Sequence, residues 1–522
     1  MKTIKFKITT GPRLSAQNQR KSEVTEQCPR RRRSSAASPT RSTGSSSSSS
    51  SPAENGPKNH RSRAGCTECK RRRVKCDETF PVCRNCQRRG QVCEAAPRLR
   101  TWQMESPWIA KSHLRNDAPD QVLLRYWLEK ASQIMVIDPD INPLSFPILE
   151  HLDASPSLLH ALQSVSAAHQ HFFDPSQMAR CLEERGIAIQ LVQREIANPP
   201  KDVFPVFLTV LMLGLSTAWI EGPVTQFGLQ HLYGARALVD IMLADSSLPE
   251  ENPSVFGFTI GAYLYWDMAC AFLVPSSEQA PIDNVDLFLG VLQTGSEYHP
   301  IGGYCTEVYY HLSSVGRYCR RVCDTGIRNV EEENHLENML LGWKPEGDNQ
   351  ALVTIGEAFK IHGLINLAIS KRHALLTDPS DMDDFLSTQH IDPTLLMASI
   401  LTPPPGSGTE FHTEEDPSVR DENIRKQAVQ VVRSLTSIPP THSCTNLQAI
   451  PLLTAGSELT AEDHEERELV SQRFRALYSI NHIRSNLRAL DLLLELWELR
   501  DAGTVMSWLD LMLEKGWSIM MG

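Results

Sequence analysis

From about residue 118 to residue 522, apolar side chains recur at helical spacing. In "SPSLLHALQSVSAAHQHFF", Leu158, Leu159, Leu162, Val165 and Ala168 share one face, with Ser155 as the N-cap and Pro156 in the first turn. "QFGLQHLYGARALVDIML" and "FRALYSINHIRSNLRALDLLLELWELR" repeat the habit. Few windows keep the two-residue alternation of a strand, so the spacing predicts a mainly all-α domain over 118–522. Val203–Ile220 is uncharged and about as long as the shortest membrane span, but it carries Pro205, Thr209, Ser216 and Thr217 and reads as a buried helix. Residues 402–422, "TPPPGSGTEFHTEEDPSVRDE", read as a flexible acidic loop.

Upstream the periodicity is lost. Residues 1–60 are poor in apolar side chains, rich in Ser, Pro and Arg, and contain a pure serine run at Ser45–Ser51. Such a segment cannot bury enough surface to offset the entropy of ordering and is expected to be disordered. Within it, Arg30, Arg31, Arg32 and Arg33 form a candidate nuclear import signal, or a solvated basic run that touches phosphates. The first residues, "MKTIKFKITTGPRLSAQ", have no apolar core of the secretory kind, which points to a reducing compartment. Prolines at 97, 107 and 119 preclude one continuous helix and make 98–117 a linker. No heptad seam runs between Cys93 and Ile137; Val122, Leu123, Tyr126 and Trp127 make one short amphipathic face.

Charge sharpens this division. Residues 1–100 hold 24 Lys and Arg against 7 Asp and Glu, whereas the rest holds 28 against 55, for a net charge of -10. A basic head on an acidic body suggests a polyanion-binding module joined to a domain with another task.

The head contains "GCTECKRRRVKCDETFPVCRNCQRRGQVC", in which Cys66, Cys69, Cys76, Cys83, Cys86 and Cys93 repeat the half-motif C-x2-C-x6-C. One zinc takes four thiolates and leaves two idle, while two separate tetrahedral zincs need eight ligand positions. Six thiolates fill eight positions when two of them bridge, and the internal repeat makes Cys66 and Cys83 the natural bridging pair. A disulfide framework would require export, and a one-zinc ribbon on the two C-x2-C pairs leaves the matched x6 spacings without a role.

The cysteine spacing, the basic run "CKRRRVKC", Asp77 after the third cysteine and Pro81 before the fourth resemble the fungal binuclear zinc-cluster transcription factors over about 30 residues. The resemblance implies a small cluster of two Zn2+ and six cysteines, each half a short helix plus an extended strand, with zinc supplying the folding free energy. It also implies that the first helix enters the major groove of double-stranded DNA and reads a CGG-like triplet with Arg72 and Arg73. The family more often has Lys at the position of Arg73; Arg keeps the charge and can hold guanine bidentately. Lys70, Arg71 and Lys75 are assigned to phosphates. Between residues 61 and 100, twelve cations face four acids, a surface suited to salt-dependent phosphate binding.

The body carries its own resemblance. "SPSLLHALQSVSAAHQHF", "CLEERGIAIQLVQREI" and "FPVFLTVLMLGLSTAWIEGPVTQFGLQHLYGARALVDIM" are similar to the fungal-specific transcription factor domain of the second type, over about residues 118–395. That implies a helical regulatory domain coupling DNA binding to the transcription machinery or co-regulators. No phosphate loop, G-x-S-x-G or His-Glu-x-x-His occurs, and the chain is not expected to be an enzyme. His169 and His171 read as ordinary helix histidines, Cys319 and Cys323 share a helical face and offer a redox hypothesis, and the acidic 413–422 and 461–468 read as solvated surface or activation segments.

The expected organisation is a disordered tail (1–60), a zinc cluster (61–97), a linker (98–117) and a helical body (118–522). The expected function is nuclear, zinc-dependent, sequence-specific regulation of RNA polymerase II transcription in a metabolic pathway, including secondary metabolism, by a monomer or homodimer with no membrane partner. The alternative is a nuclear zinc-binding scaffold without base recognition.

Overall fold

The computed structural model describes residues 65–77, 79, 82–93, 120–373, 375–376 and 417–521, apart from 175, 199, 201, 221–227, 281–284 and 295–296. The expected tail with Arg30–Arg33, the linker 98–117 and residues 402–416 of the expected acidic loop lie outside the described residues.

Two short helices, α1 (Thr67–Arg71) and α2 (Arg84–Gln87), belong to the cysteine segment. The body opens with α3 (Gln121–Tyr126), a π-helical turn at Trp127–Ala131, and α4 (Ser132–Ile134). There follow α5 (Pro156–Gln170), α6 (Gln177–Ala197), α7 (Phe204–Leu215), α8 (Leu229–Leu243), α9 (Leu248–Glu251) and α10 (Pro253–Cys270). Next come α11 (Val285–Thr294), α12 (Thr306–Thr325), α13 (Val330–Gly342) and α14 (Gln350–His373). The last group is α15 (Pro417–Ser437), α16 (Ala449–Ser457), α17 (His464–Asn481), α18 (Ser485–Asp501) and α19 (Trp508–Glu514). A minimal parallel sheet pairs β1 (Ile327–Arg328) with β2 (Leu375–Leu376).

Helices pack mostly on near neighbours in sequence: α5 on α6 and α7, α10 on α8 and α12, α12 on α14, and α14 on α15 and α16. The array closes on itself. Asn446 Nδ2 donates to the Ile134 carbonyl at 3.1 Å, and the His482 ring beyond α17 stacks on Phe172 beyond α5 at a centroid distance of 5.2 Å.

Every residue of α7 is buried, which accounts for its uncharged sequence and agrees with the buried-helix expectation. Gly214 is there because α10 crosses close by: a β-carbon would fall 2.1 Å from the Trp266 ring. Residues 350–372 of α14 are long and apolar enough to cross a membrane by length and composition, and most of that stretch is buried inside the protein.

Local expectations meet long-range partners. Helix α5 begins at Pro156 as predicted, but the Ser155 side chain does not cap it. Glu195 of α6 does, accepting from the Ser157 N–H (3.1 Å), the Ser157 hydroxyl (2.6 Å) and the Ser155 hydroxyl (2.8 Å). At the start of the body, Val122 is 70% exposed while Leu123, Leu124, Trp127 and Leu128 are buried, so the apolar face lies one position away from the one read off the sequence. Residues Pro417–Glu422, expected as the end of the acidic loop, form the first turn of α15.

Nor is the acidic stretch 461–468 merely solvated. Asp463 receives two bonds from Arg425, the shorter at 2.8 Å, and Glu466 pairs with Arg433 at 2.6 Å; both carboxylates are buried. Deeper pairs bind α10 to α12, where Arg317 holds Asp267 at 2.7 and 2.8 Å, and α14 to α18, where Arg372 and Arg500 share Glu458 at 2.7 and 3.0 Å. Burial alone would raise the Asp267 carboxyl, but Arg317 and the surrounding hydrogen bonds outweigh it and hold it below the usual range. Arg473 closes the end of α15, donating to the Thr436 and Ile438 carbonyls at 2.9 and 2.8 Å; these are the carbonyls that a helix C-terminus leaves open.

His169 accepts no charge: burial and the nearby His482 lower its pKa to about 3, and its Nδ1 lies 2.7 Å from the Tyr126 hydroxyl. The cysteine pair is equally passive. Burial pushes Cys319 up to about 12, and the Cys323 thiol, raised further, donates to Asp510 at 2.9 Å, so neither offers the thiolate that redox reactivity needs.

Candidate functional site

The six cysteines converge in two copies of one local fold. In the first half, Cys66 caps α1, its sulfur accepting from the Cys69 N–H at 3.4 Å; in the second, Cys83 caps α2 and accepts from the Cys86 N–H at the same distance. Each helix then ends in the same pair of backbone bonds. Arg73 N–H reaches Lys70 and Val74 N–H reaches Cys69, as Gly90 N–H reaches Gln87 and Gln91 N–H reaches Cys86, all at 3.0–3.1 Å. This is the Schellman closure, which places its central residue in the left-handed region. Arg73 and Gly90 are those residues, each with φ of 57°.

The repeat brings the sulfurs together. Cys66 lies 3.8 Å from Cys83 and 3.7 Å from Cys86, and Cys69 lies 3.6 Å from Cys83. A tetrahedron of thiolates about 2.3 Å from a zinc ion has edges of about 3.8 Å, so these separations suit metal coordination. Cys66, Cys69, Cys83 and Cys86 form one mutually close group, and Cys76, Asp77 and Cys83 another. Cys93 joins them by accepting the Cys83 N–H at 3.3 Å. Cys66 and Cys83, the expected bridging pair, each approach a cysteine of the opposite half.

All six are buried, yet Val82 is the one apolar side chain packed on them among the described residues. With so little core, the fold must draw its stability from metal binding. Burial and the adjoining thiols raise Cys69 and Cys86, and burial pushes Cys93 up to about 12. Such a crowded set resists ionisation by itself, and a bound divalent cation removes the resistance because a coordinating thiol is deprotonated outright.

Two polar clamps tie the halves. Asp77 accepts from the Arg84 N–H at 3.1 Å, at the start of α2, and Asn85 Nδ2 donates to the Lys75 carbonyl at 2.8 Å. Asp77 was marked in the sequence only by position; its clamp, and that of Asn85, depends on a loop closure that spacing does not reveal.

The cations predicted to meet DNA lie on and just beyond α1. Lys70, Arg71, Arg73 and Lys75 are exposed. Arg71 makes a two-pronged pair with Glu68, both bonds 2.8 Å, which phosphate would have to replace. Arg72 is half-buried, with one guanidinium nitrogen enclosed and without a partner, so its donors are only partly presented.

Residues 64–103 match the fungal Zn(2)-Cys(6) binuclear cluster domain, and residues 122–522 match the fungal specific transcription factor domain. Among curated proteins, the chain is 49% identical over 41 residues to the transcriptional regulatory protein moc3 of Schizosaccharomyces pombe (8% of each chain). It is 55% identical over 40 residues to the Zn(2)-C6 fungal-type transcription factor afumD of Aspergillus fumigatus (7% of this chain, 11% of the relative). It is also 56% identical over 39 residues to the lysine biosynthesis regulatory protein LYS14 of Saccharomyces cerevisiae (8% of this chain, 5% of the relative). The likeness therefore covers about a tenth or less of each of these relatives. No solved structure matches the chain.

Proposed function

Since the chain belongs to the fungal specific transcription factor domain family and carries a Zn(2)-Cys(6) cluster that holds two zinc ions, we propose that this DNA-binding transcription regulator reads CGG-like triplets in double-stranded DNA and controls RNA polymerase II transcription in the nucleus. The zinc ions supply the folding free energy that the module's missing core cannot. Their ligands are Cys66, Cys69, Cys76, Cys83, Cys86 and Cys93, with Cys66 and Cys83 bridging. Arg72 and Arg73 reach base edges, where a guanidinium fork matches guanine O6 and N7. Lys70, Arg71 and Lys75 hold phosphates and set the register of α1 on the duplex.

The observation that carries base recognition is the occupant of the left-handed turn. The second half fills it with Gly90, the residue such backbone favours; the first half places Arg73 there at the same φ. A strained arginine, exposed beside α1, fits a side chain held in place for contact.

Arg30–Arg33 serve nuclear import in this reading. The relative named for lysine biosynthesis supports control of metabolism, and we extend that to a metabolic pathway, secondary metabolism included. The helical body relays binding to the transcription machinery or co-regulators, with the protein acting as monomer or homodimer; no catalytic residue is assigned.

The test is selection of duplexes from a random pool by the full chain, at stated salt, with and without a zinc chelator. Enrichment of a CGG-like triplet that vanishes with chelator is expected. Bound zinc with no enriched sequence would sink base recognition and leave the scaffold alternative.

A further inference from the structure

The turn bearing Arg73 is open to solvent; its counterpart in the second half is in contact with the body. The Arg475 guanidinium of α17 lies across Gly90, its carbon and both terminal nitrogens 3.8 Å from where a β-carbon would stand. One turn further along α17, the Ser479 hydroxyl donates to the Cys93 carbonyl, sharing its hydrogen with the Arg475 carbonyl. Ser479 is buried, and so is Ala476 three residues before it, although Ala476 lies apart from the main apolar core. The stretch from Gly90 to Cys93 is thus a seat: it fixes the second half on α17, while Arg73 and Lys75 of the first half stay exposed to solvent.

Arg475 is an unexpected residue for that contact. It is half-buried and has no ion pair or side-chain hydrogen bond among the described residues. It faces a turn that begins with two exposed cations, Arg88 and Arg89. An arginine with no carboxylate partner among the described residues, set on a turn whose sequence carries two more cations, adds to a surface of one sign, and such a surface concentrates the opposite charge. A phosphate backbone supplies that charge to a module of this kind.

We propose that Arg475 is a DNA-backbone contact contributed by the helical body and held beside the zinc cluster by the Ser479–Cys93 seat. The proposal rests on the reading of the cluster as a DNA-binding module. It makes the body part of the interface: the seat does not mask the reading turn, and it adds a cation that strengthens binding to any sequence.

The experiment compares the zinc-loaded full chain with Arg475→Gln, Arg475→Lys and Ser479→Ala on a preferred duplex and a scrambled one, over a range of salt. Each phosphate neutralised adds about 0.9 to the slope of log K against log salt. Arg475→Gln is expected to lower the slope by about one and to weaken both duplexes by the same factor, with zinc content and thermal unfolding unchanged. Arg475→Lys should keep the wild-type slope. Ser479→Ala should shift the slope as Arg475→Gln does, and should speed amide exchange at Gln91–Cys93. An unchanged slope in Arg475→Gln overturns the proposal, and so does a loss shared by Arg475→Lys, which would mark a packing role. Failure of the wild type to prefer either duplex instead overturns the base-reading function; the slope comparison still decides the role of Arg475.

Discussion

Arg73 and Gly90 occupy the same position in two copies of one turn, with the same φ of 57° and the same two backbone bonds around them. Left-handed backbone costs a non-glycine residue about 1–2 kcal/mol. Arg73→Gly should therefore leave zinc content intact and stability equal or slightly higher, while affinity for the preferred duplex falls by about 1–3 kcal/mol, the worth of a bidentate base contact. Anisotropy titrations at fixed salt, beside a metal assay, would check this. An affinity within a factor of two of wild type would remove Arg73 from the base-reading set.

Bridging ligands make a prediction about stoichiometry. Cys66 and Cys83 each lie within 3.8 Å of two sulfurs of the opposite half, and Cys76 and Cys93 are the last cysteines of their own halves in sequence. Cys66→Ser or Cys83→Ser should lower bound zinc from two to about zero, and Cys76→Ser or Cys93→Ser to about one. Metal analysis of the four purified variants distinguishes these outcomes. Equal losses in all four would argue against the bridging assignment.

Breaking the buried Asp267–Arg317 pair should be severe. Asp267 is 1% exposed and accepts from Arg317 at 2.7 and 2.8 Å, so Asp267→Ala leaves a cation buried between α10 and α12. A loss of about 3–5 kcal/mol is expected from urea unfolding, read at the helical signal. A change under about 1 kcal/mol would show that water reaches Arg317.

Acid should weaken the body in two stages. His299 is buried with its Nδ1 accepting the Ile301 and Gly302 N–H groups, and burial lowers its pKa to about 4; His362, buried likewise, falls to about 3. Between about pH 6.5 and those values the unfolded chain binds more protons than the folded one, so stability falls as pH falls. The depressed carboxyls of Asp267 and Glu458 add to the loss only as pH falls below about 5, through the unfolded carboxyl range. Urea midpoints at pH 7 and pH 5 test the first stage, with the lower value expected at pH 5; equal midpoints would contradict it.

What the sequence made legible was local. The spacing of Leu158, Leu162 and Val165 gave α5, the uncharged run gave α7, and the cysteine repeat located the metal centre. Long-range contacts were hidden. The cap of α5 comes from Glu195, about forty residues away; Asp463 and Glu466 read as solvated because their partners Arg425 and Arg433 lie on another helix. At the start of the body, the face chosen by periodicity was off by one position and took in the exposed Val122, on a helix that widens into a π-turn from Trp127. The equivalence of Arg73 and Gly90 could have been found by laying the two halves over each other, but nothing in either half alone marks a left-handed turn occupied by arginine.

The closure of the array through Asn446 and Ile134, 312 residues apart, means that α4 near the start of the body and the turn before α16 hold one another. With α14 also packed on α15 and α16, a chain nicked between 377 and 416 would stay a single particle. The same closure makes either half a poor candidate for expression by itself, and a good candidate for reassembly when the two are mixed.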